Sequence, residues 1–136
     1  MMEHQTTVNV RFCETDALGH VNNTSYFIYL EEARVQFFEE IGYEMNTNEW
    51  QFILASTKCD FIGQAFFNQK LIITTEVSKI GTKSFHLSHS IHNKDTVELV
   101  ARGEAIIVYF NFELQKSMPL SSDLKSALEE HYRALT

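Results

Sequence analysis

The sequence predicts an α+β fold, an antiparallel sheet with one long helix packed on a face. Three observations predict it. Bulky apolar residues recur with a helical period from Thr24 to Gly42. Four long alternating or β-branched runs then follow with no second long helix between them. The breaks between the later runs are short and of hairpin type. The 136 residues fit one domain, 1–136, since ordinary domains run ~100 to 200 residues.

Taken in order, TTVNVRF (Thr6 to Phe12) alternates, with Val8, Val10 and Phe12 on one face of a first strand. The helix comes next. Phe27, Leu30, Phe37, Phe38 and Ile41 fall within an arc of ~100°, Gly42 is a natural stop, and Asn22, Asn23 and Thr24 are cap candidates. Strands follow at Phe52 to Ile62, Lys70 to Ile80, Ser84 to His92 and Val97 to Phe112, with IGTKS and HNKDT as turns. Ser121 to Leu135 opens with a Ser/Asp cap and good helix formers, which predicts a terminal helix. The long helix carries aromatic residues over much of its circumference (Tyr26, Phe27, Tyr29, Phe37, Phe38). That is more than one sheet face ordinarily covers, and a subunit interface is expected.

Composition narrows the function classes. The apolar fraction of 44% is that of a globular chain, and no apolar run nears the ~20 residues of a membrane span. A net charge of -7 opposes binding to a phosphate backbone or an anionic membrane, so neither nucleic acid nor membrane is expected as a partner. The N-terminus MMEHQTTV has no basic-then-apolar signal pattern, which sets a cytoplasmic expectation with Cys13 and Cys59 reduced. The histidines of SFHLSHSIH invite a metal reading. Strand parity, however, points His86 and His92 one way and His89 the other, beside Phe85, Leu87 and Ile91, so they cannot converge and no metal is expected.

The strand-to-helix connection FCETDALGHVNNTSY concentrates Glu14, Asp16, His20, Asn22 and Asn23. Asp16 reads either as a turn or cap aspartate or, beside Glu14, as half of an acid/base pair. Within the helix, Glu31 and Arg34 fall inside the expected apolar arc. Charges there are costly unless paired, so an i, i+3 ion pair or a catalytic role is expected of them.

The run from Phe12 to Arg34 resembles the hotdog-fold acyl-CoA thioesterases of the hydroxybenzoyl-CoA thioesterase family. Their pattern is roughly F-x-x-x-D-x-x-G-[HIV]-V-x-N-x-x-Y followed by Y-x-E-x-A-R, and Phe12, Asp16, Gly19, His20, Val21, Asn23 or Asn22, Tyr26, Tyr29, Glu31, Ala33 and Arg34 match it. The later segment KCDFIGQAFFNQKL lacks the proline and the Gly-Asp that such relatives often carry. The resemblance implies a single hotdog domain, a five-stranded antiparallel sheet wrapped on one long central helix plus a short C-terminal helix. It also implies hydrolysis of an acyl-CoA to a free acid and coenzyme A. Asp16 would be nucleophile or general base, and the backbone at Asn22 and Asn23 would hold the thioester oxygen at the positive end of the helix dipole. His20 would be either catalytic or structural, Tyr26 would shape an acyl tunnel, and Glu31 and Arg34 would support the site. Lys83 and Ser84 would meet the nucleotide end of coenzyme A, which is part of the substrate, so no separate cofactor is implied. Glu14 is left as a solvent-facing neighbour. The assembly implied is a homodimer with sites at its interface, with pairing of dimers into a tetramer also open. Two other readings stay open: a non-catalytic acyl-CoA or acyl-carrier binding module, and a hotdog dehydratase, which would want a different Asp/His pairing.

Overall fold

The computed structural model describes residues 3–43 and 50–133. Strand β1 covers His4–Asn9, helix α1 Asn23–Glu40, β2 Phe52–Phe61, β3 Lys70–Ile80, β4 Ser84–Asn93, β5 Leu99–Asn111, β6 Lys116–Ser117 and helix α2 Ser122–Glu129. The strands form one antiparallel sheet in the order β1-β3-β4-β5-β2, and the two-residue β6 pairs with β5. This is the expected α+β architecture with one added short strand. Strands β3, β4 and β5 alternate buried and wetter residues, as a sheet with one covered face must.

Helix α1 covers the inner face. Its buried residues are Ser25, Tyr26, Tyr29, Leu30, Ala33, Arg34, Phe37 and Phe38. On a helical wheel this stripe is centred near Phe37, about 80° from Phe27. Phe27 is accordingly only half-buried and Glu31 is exposed, while Ile41, the C-cap, is half-buried. Of the aromatic residues expected around the helix, Tyr26, Tyr29, Phe37 and Phe38 are all buried within one chain, whereas Phe27 is half-buried and the neighbouring Ile28 is 53% exposed. Phe37 and Phe85 are fully buried, each worth roughly 1.5–3 kcal/mol of transfer free energy. One close approach packs the helix on the sheet: a Cβ on Gly103 would lie 2.6 Å from Leu30 Cδ1, so the fully buried Leu30 side chain occupies the space a side chain at 103 would take.

The core has two apolar clusters. One gathers Val10, Tyr26, Leu30, Leu71, Ile73 and Ile91 under the first half of α1, and the other Phe37, Phe38, Val77, Phe85, Leu87, Leu124 and Leu128 under the second. Between them runs a row of paired residues across the sheet, His4, Thr75, His89 and Gly103. Thr75 Oγ1 and His89 Nδ1 are 2.9 Å apart, and His89 is 2% exposed. The parity expected for β4 is observed: His89 is buried with Phe85, Leu87 and Ile91, while His86 and His92 are half-buried on the other face.

Three boundaries differ from expectation. β1 ends at Asn9, and Phe12–Glu14 forms a 3-10 turn. Phe12 therefore leaves the sheet and is 77% exposed. β5 begins at Leu99 because Val97 turns with φ +63, its N–H bonded to the Asn93 carbonyl. α2 stops at Glu129, well before Leu135, which lies outside the described residues. The chain there pairs with β3 instead: the Val77 N–H donates to the His131 carbonyl and the Arg133 N–H to the Val77 carbonyl, both within 2.9 Å.

Candidate active site

The connection between β1 and α1 is a closed, hydrogen-bonded loop. Asp16 and Gly19 form a turn, with the Gly19 N–H 3.0 Å from the Asp16 carbonyl, and Gly19 has φ +81, which favours glycine. The Asp16 N–H donates to the His20 carbonyl at 2.8 Å. Its carboxylate Oδ1 accepts the N–H of Leu18 at 2.8 Å and that of His20 at 3.2 Å. The turn role expected of Asp16 is observed, whereas the Glu14 carboxylate is bonded to Arg11 and Tyr29 and not to Asp16. Oδ1 is a turn acceptor, whereas Oδ2, on an exposed residue, takes no hydrogen bond from any described residue.

The loop is fastened on two sides. Toward the sheet, the Val21 N–H donates to the Ala65 carbonyl at 2.8 Å and the Phe67 N–H to the Gly19 carbonyl at 3.3 Å. His20 bridges to Phe66, their rings edge to face at 4.9 Å. Toward the helix, Asn22 is the N-cap: its Oδ1 accepts from the Thr24 N–H at 3.0 Å, and its carbonyl from the Ser25 N–H at 2.9 Å. Those two donors of the first turn are occupied. Among the described residues nothing accepts from the N–H of Asn23, the first helical residue, at the positive end of the dipole.

The remaining expected residues are dispersed. Tyr26 is buried against Phe61, and burial pushes its hydroxyl up to about 12 despite a hydrogen bond with the Ala65 backbone. Glu31 and Arg34 form no bridge, because Glu31 lies outside the buried stripe while Arg34 lies inside it. Arg34 is 7% exposed and its Nη1 has no hydrogen-bond partner among the described residues. Burial pulls its guanidinium down, partly offset by the Glu31 charge. Lys83 lies in the β3–β4 turn and Ser84 opens β4, at the end of β3 opposite Lys70. Eleven residues of strand separate them from the Asp16 loop, about 35 Å, so one chain does not bring them together.

Glu14 corrects the sequence reading most. A solvent-facing neighbour is expected at this position, but Glu14 closes the 3-10 turn and is 5% exposed. Its Oε1 accepts from the Arg11 N–H at 2.9 Å and the Tyr29 hydroxyl at 3.0 Å, and its Oε2 from Arg11 Nη2 at 2.8 Å. Burial pushes its carboxyl up, but the hydrogen bonds from Arg11 and Tyr29 outweigh it and hold the group below the usual carboxylate range. The i, i+3 spacing of Arg11 and Glu14 is the sequence signal that could have found this pair.

A family profile described as "Thioesterase-like superfamily" matches residues 10–128, a span that contains this loop and all of α1. Among curated proteins, the chain is 31% identical over 121 residues to the Bacillus subtilis (strain 168) "Uncharacterized protein YsmA", covering 89% of this chain and 82% of that one. It is 28% identical over 128 residues to the Escherichia coli (strain K12) "Long-chain acyl-CoA thioesterase FadM", covering 93% and 97%. Among solved structures, one described as a predicted thioesterase from Bacillus stearothermophilus superposes with a TM-score of 0.92 at 25% identity, over 99% of this chain and 100% of that one.

Proposed function

From the premise that the chain belongs to the Thioesterase-like superfamily, we propose that it hydrolyses acyl-CoA thioesters to a carboxylic acid and coenzyme A, with Asp16 as the reacting carboxylate. The observation that carries this reading is the division of labour within Asp16: Oδ1 is held by the Leu18 and His20 amides, and Oδ2 is left for substrate or water. A thioester carbonyl seated at the mouth of α1 would direct its oxygen to the Asn23 N–H, where negative charge develops in the tetrahedral intermediate. One such donor is worth on the order of 100-fold to 1000-fold in rate. Asp16 then acts in one of two ways. As base it draws a proton from the attacking water, and collapse of the intermediate expels the coenzyme A thiolate and leaves the acid. As nucleophile it attacks the carbonyl itself, and collapse expels the thiolate and leaves an acyl-Asp16 anhydride that water hydrolyses to the acid and the free carboxylate. Coenzyme A enters as part of the substrate and no further cofactor is called for. Acyl-CoA in the cytoplasm is the substrate pool this reading assumes.

The reading includes a homodimer joined along β2. That ten-residue edge strand is mostly exposed, with Leu54, Phe61 and the following Ile62 42–53% exposed, and long open edges of this kind invite strand pairing. Its Phe52 end pairs with Tyr109, near the Lys83 turn, and its Phe61 end with Ala101, near the Asp16 loop. An antiparallel β2–β2 contact about a two-fold axis would place the Phe52 end of one subunit beside the Phe61 end of the other. Lys83 and Ser84 could then serve the second subunit's site, which they cannot reach in their own.

The test is Asp16→Asn assayed on acyl-CoAs of varied chain length and aromatic character, with light scattering for the assembly. The amide oxygen of asparagine can still accept the Leu18 and His20 N–H groups, so the loop keeps its shape while the carboxylate is lost. We expect kcat to fall at least ~100-fold. Near wild-type turnover by this variant refutes the role of Asp16, and tight acyl-CoA binding without thiol release refutes hydrolysis.

A further inference from the structure

Glu14 has no part in the reaction just described, yet it is the most heavily bonded side chain of the loop. Its carboxylate takes the Arg11 N–H, Arg11 Nε at 3.1 Å, Arg11 Nη2 and the Tyr29 hydroxyl. Its backbone carbonyl faces the other way and accepts from the Asn22 N–H at 2.9 Å and from Ser25 Oγ at 3.1 Å. One residue therefore touches the chain just past β1 (Arg11), the mouth of α1 (Asn22 and Ser25) and the second turn of α1 (Tyr29).

The geometry gives these contacts a consequence for Asp16. The ring from Asp16 to His20 is closed on itself by its own hydrogen bonds, and the 65–67 segment fixes it relative to the sheet. Besides the direct chain from His20 through the Asn22 cap, its tie to α1 runs through Glu14, two residues before Asp16. A pin that served only folding could be apolar, since a buried carboxylate is costly to desolvate and similar packing without charge is often as stable. What the charged clamp adds is direction: hydrogen bonds fix distance and angle, and a displacement of about 1 Å at a reacting group can lower a rate ~100-fold.

We infer that Glu14 is a positioning residue, clamped by Arg11 and Tyr29, that sets the distance between the Asp16 carboxylate and the N-terminus of α1. The inference rests on the reading of Asp16 given above, and the experiment separates the two. Glu14→Gln keeps the volume and an acceptor for the Arg11 N–H and Tyr29, but turns an NH2 group toward the Arg11 guanidinium, donor against donor. Glu14→Ala removes the clamp and leaves the backbone contacts in place.

In the full-length protein, kcat is expected to fall ~10-fold for Glu14→Gln and ~100-fold for Glu14→Ala, with KM within ~threefold. Introduced into Asp16→Asn, Glu14→Gln should lower the residual rate by less than about twofold, because the group it positions is already gone. Amide hydrogen exchange at Leu18 and His20, the donors to Asp16 Oδ1, should accelerate at least ~10-fold in Glu14→Ala, while the Leu30 and Phe85 amides in the core keep their protection. Three results overturn the inference: kcat within twofold of wild type, an equal loss in the Asp16→Asn background, or exchange that accelerates uniformly through the core. If wild-type protein turns over no acyl-CoA, the functional reading fails, and exchange at Leu18 and His20 alone decides the role of Glu14.

Discussion

His89 should make the fold sensitive to mild acid, and the size of the effect can be worked out. Its ring lies between the two core clusters, with Thr75 on Nδ1 and no hydrogen-bond partner for Nε2 among the described residues. Burial, then the Arg34 charge above it from α1 and His4 beside it from β1, push its pKa down from 6.5 to about 3. A histidine that stays neutral in the folded chain but protonates when unfolded leaves stability intact above pH ~6.5 and erodes it as pH falls toward 3. At about 1.4 kcal/mol for each pH unit, the full loss is about 5 kcal/mol, of which about 2 kcal/mol has gone by pH 5. Urea denaturation at pH 8, 7, 6 and 5, at one protein concentration, measures this; 2 kcal/mol corresponds to a midpoint shift of about 1 M. Carboxylates also titrate near the lower end, so the comparison is with His89→Gln, which keeps them all. The stability gap between the two proteins should shift by about 2 kcal/mol in favour of the variant from pH 8 to pH 5. A gap that does not change with pH refutes the placement of a neutral His89 beside Arg34.

Other outcomes follow from single contacts. Gly103→Ala drives a methyl group into the fully buried Leu30 and should cost about 1–3 kcal/mol by thermal or urea unfolding, with Leu30→Val restoring part of it; an unchanged midpoint would show that α1 can lift freely. Asn22→Ala removes the acceptor of the Thr24 N–H and should cost about 1 kcal/mol, whereas Asn22→Asp should keep most of the stability. Burial and Asp60 push the Cys59 thiol up to about 11, so Cys59 should resist alkylation at pH 8 until urea unfolds the chain, and fast native labelling at Cys59 would contradict its place in the sheet.

The fold was legible because its signals are local and periodic. The alternation of SFHLSHSIH assigns every residue of β4 to its face, and the apolar period of α1 locates the helix to within a residue of its observed start. The errors arose where two periods meet. Extending the β1 alternation through Phe12 puts Phe12, and Glu14 two residues on, on the face of Val8 and Val10; a three-residue 3-10 turn sends Phe12 to solvent instead, and Glu14 is buried through its bonds to Arg11 and Tyr29 rather than facing solvent. Centring the helix on Phe27 made Glu31 a buried partner for Arg34, and a rotation of about 80° removed it. The polar row of His4, Thr75 and His89 was illegible for a different reason, since its members are neighbours only through strand register, which no single segment encodes. The same limit applies to the candidate site. Asp16, Gly19 and Asn22 lie close in sequence and could be read together, whereas Lys83 can join them only through a second copy of the chain. A strand-to-helix junction thus carries its candidate residues in one stretch of sequence, whereas the contribution proposed for Lys83 depends on the proposed pairing of two β2 edges.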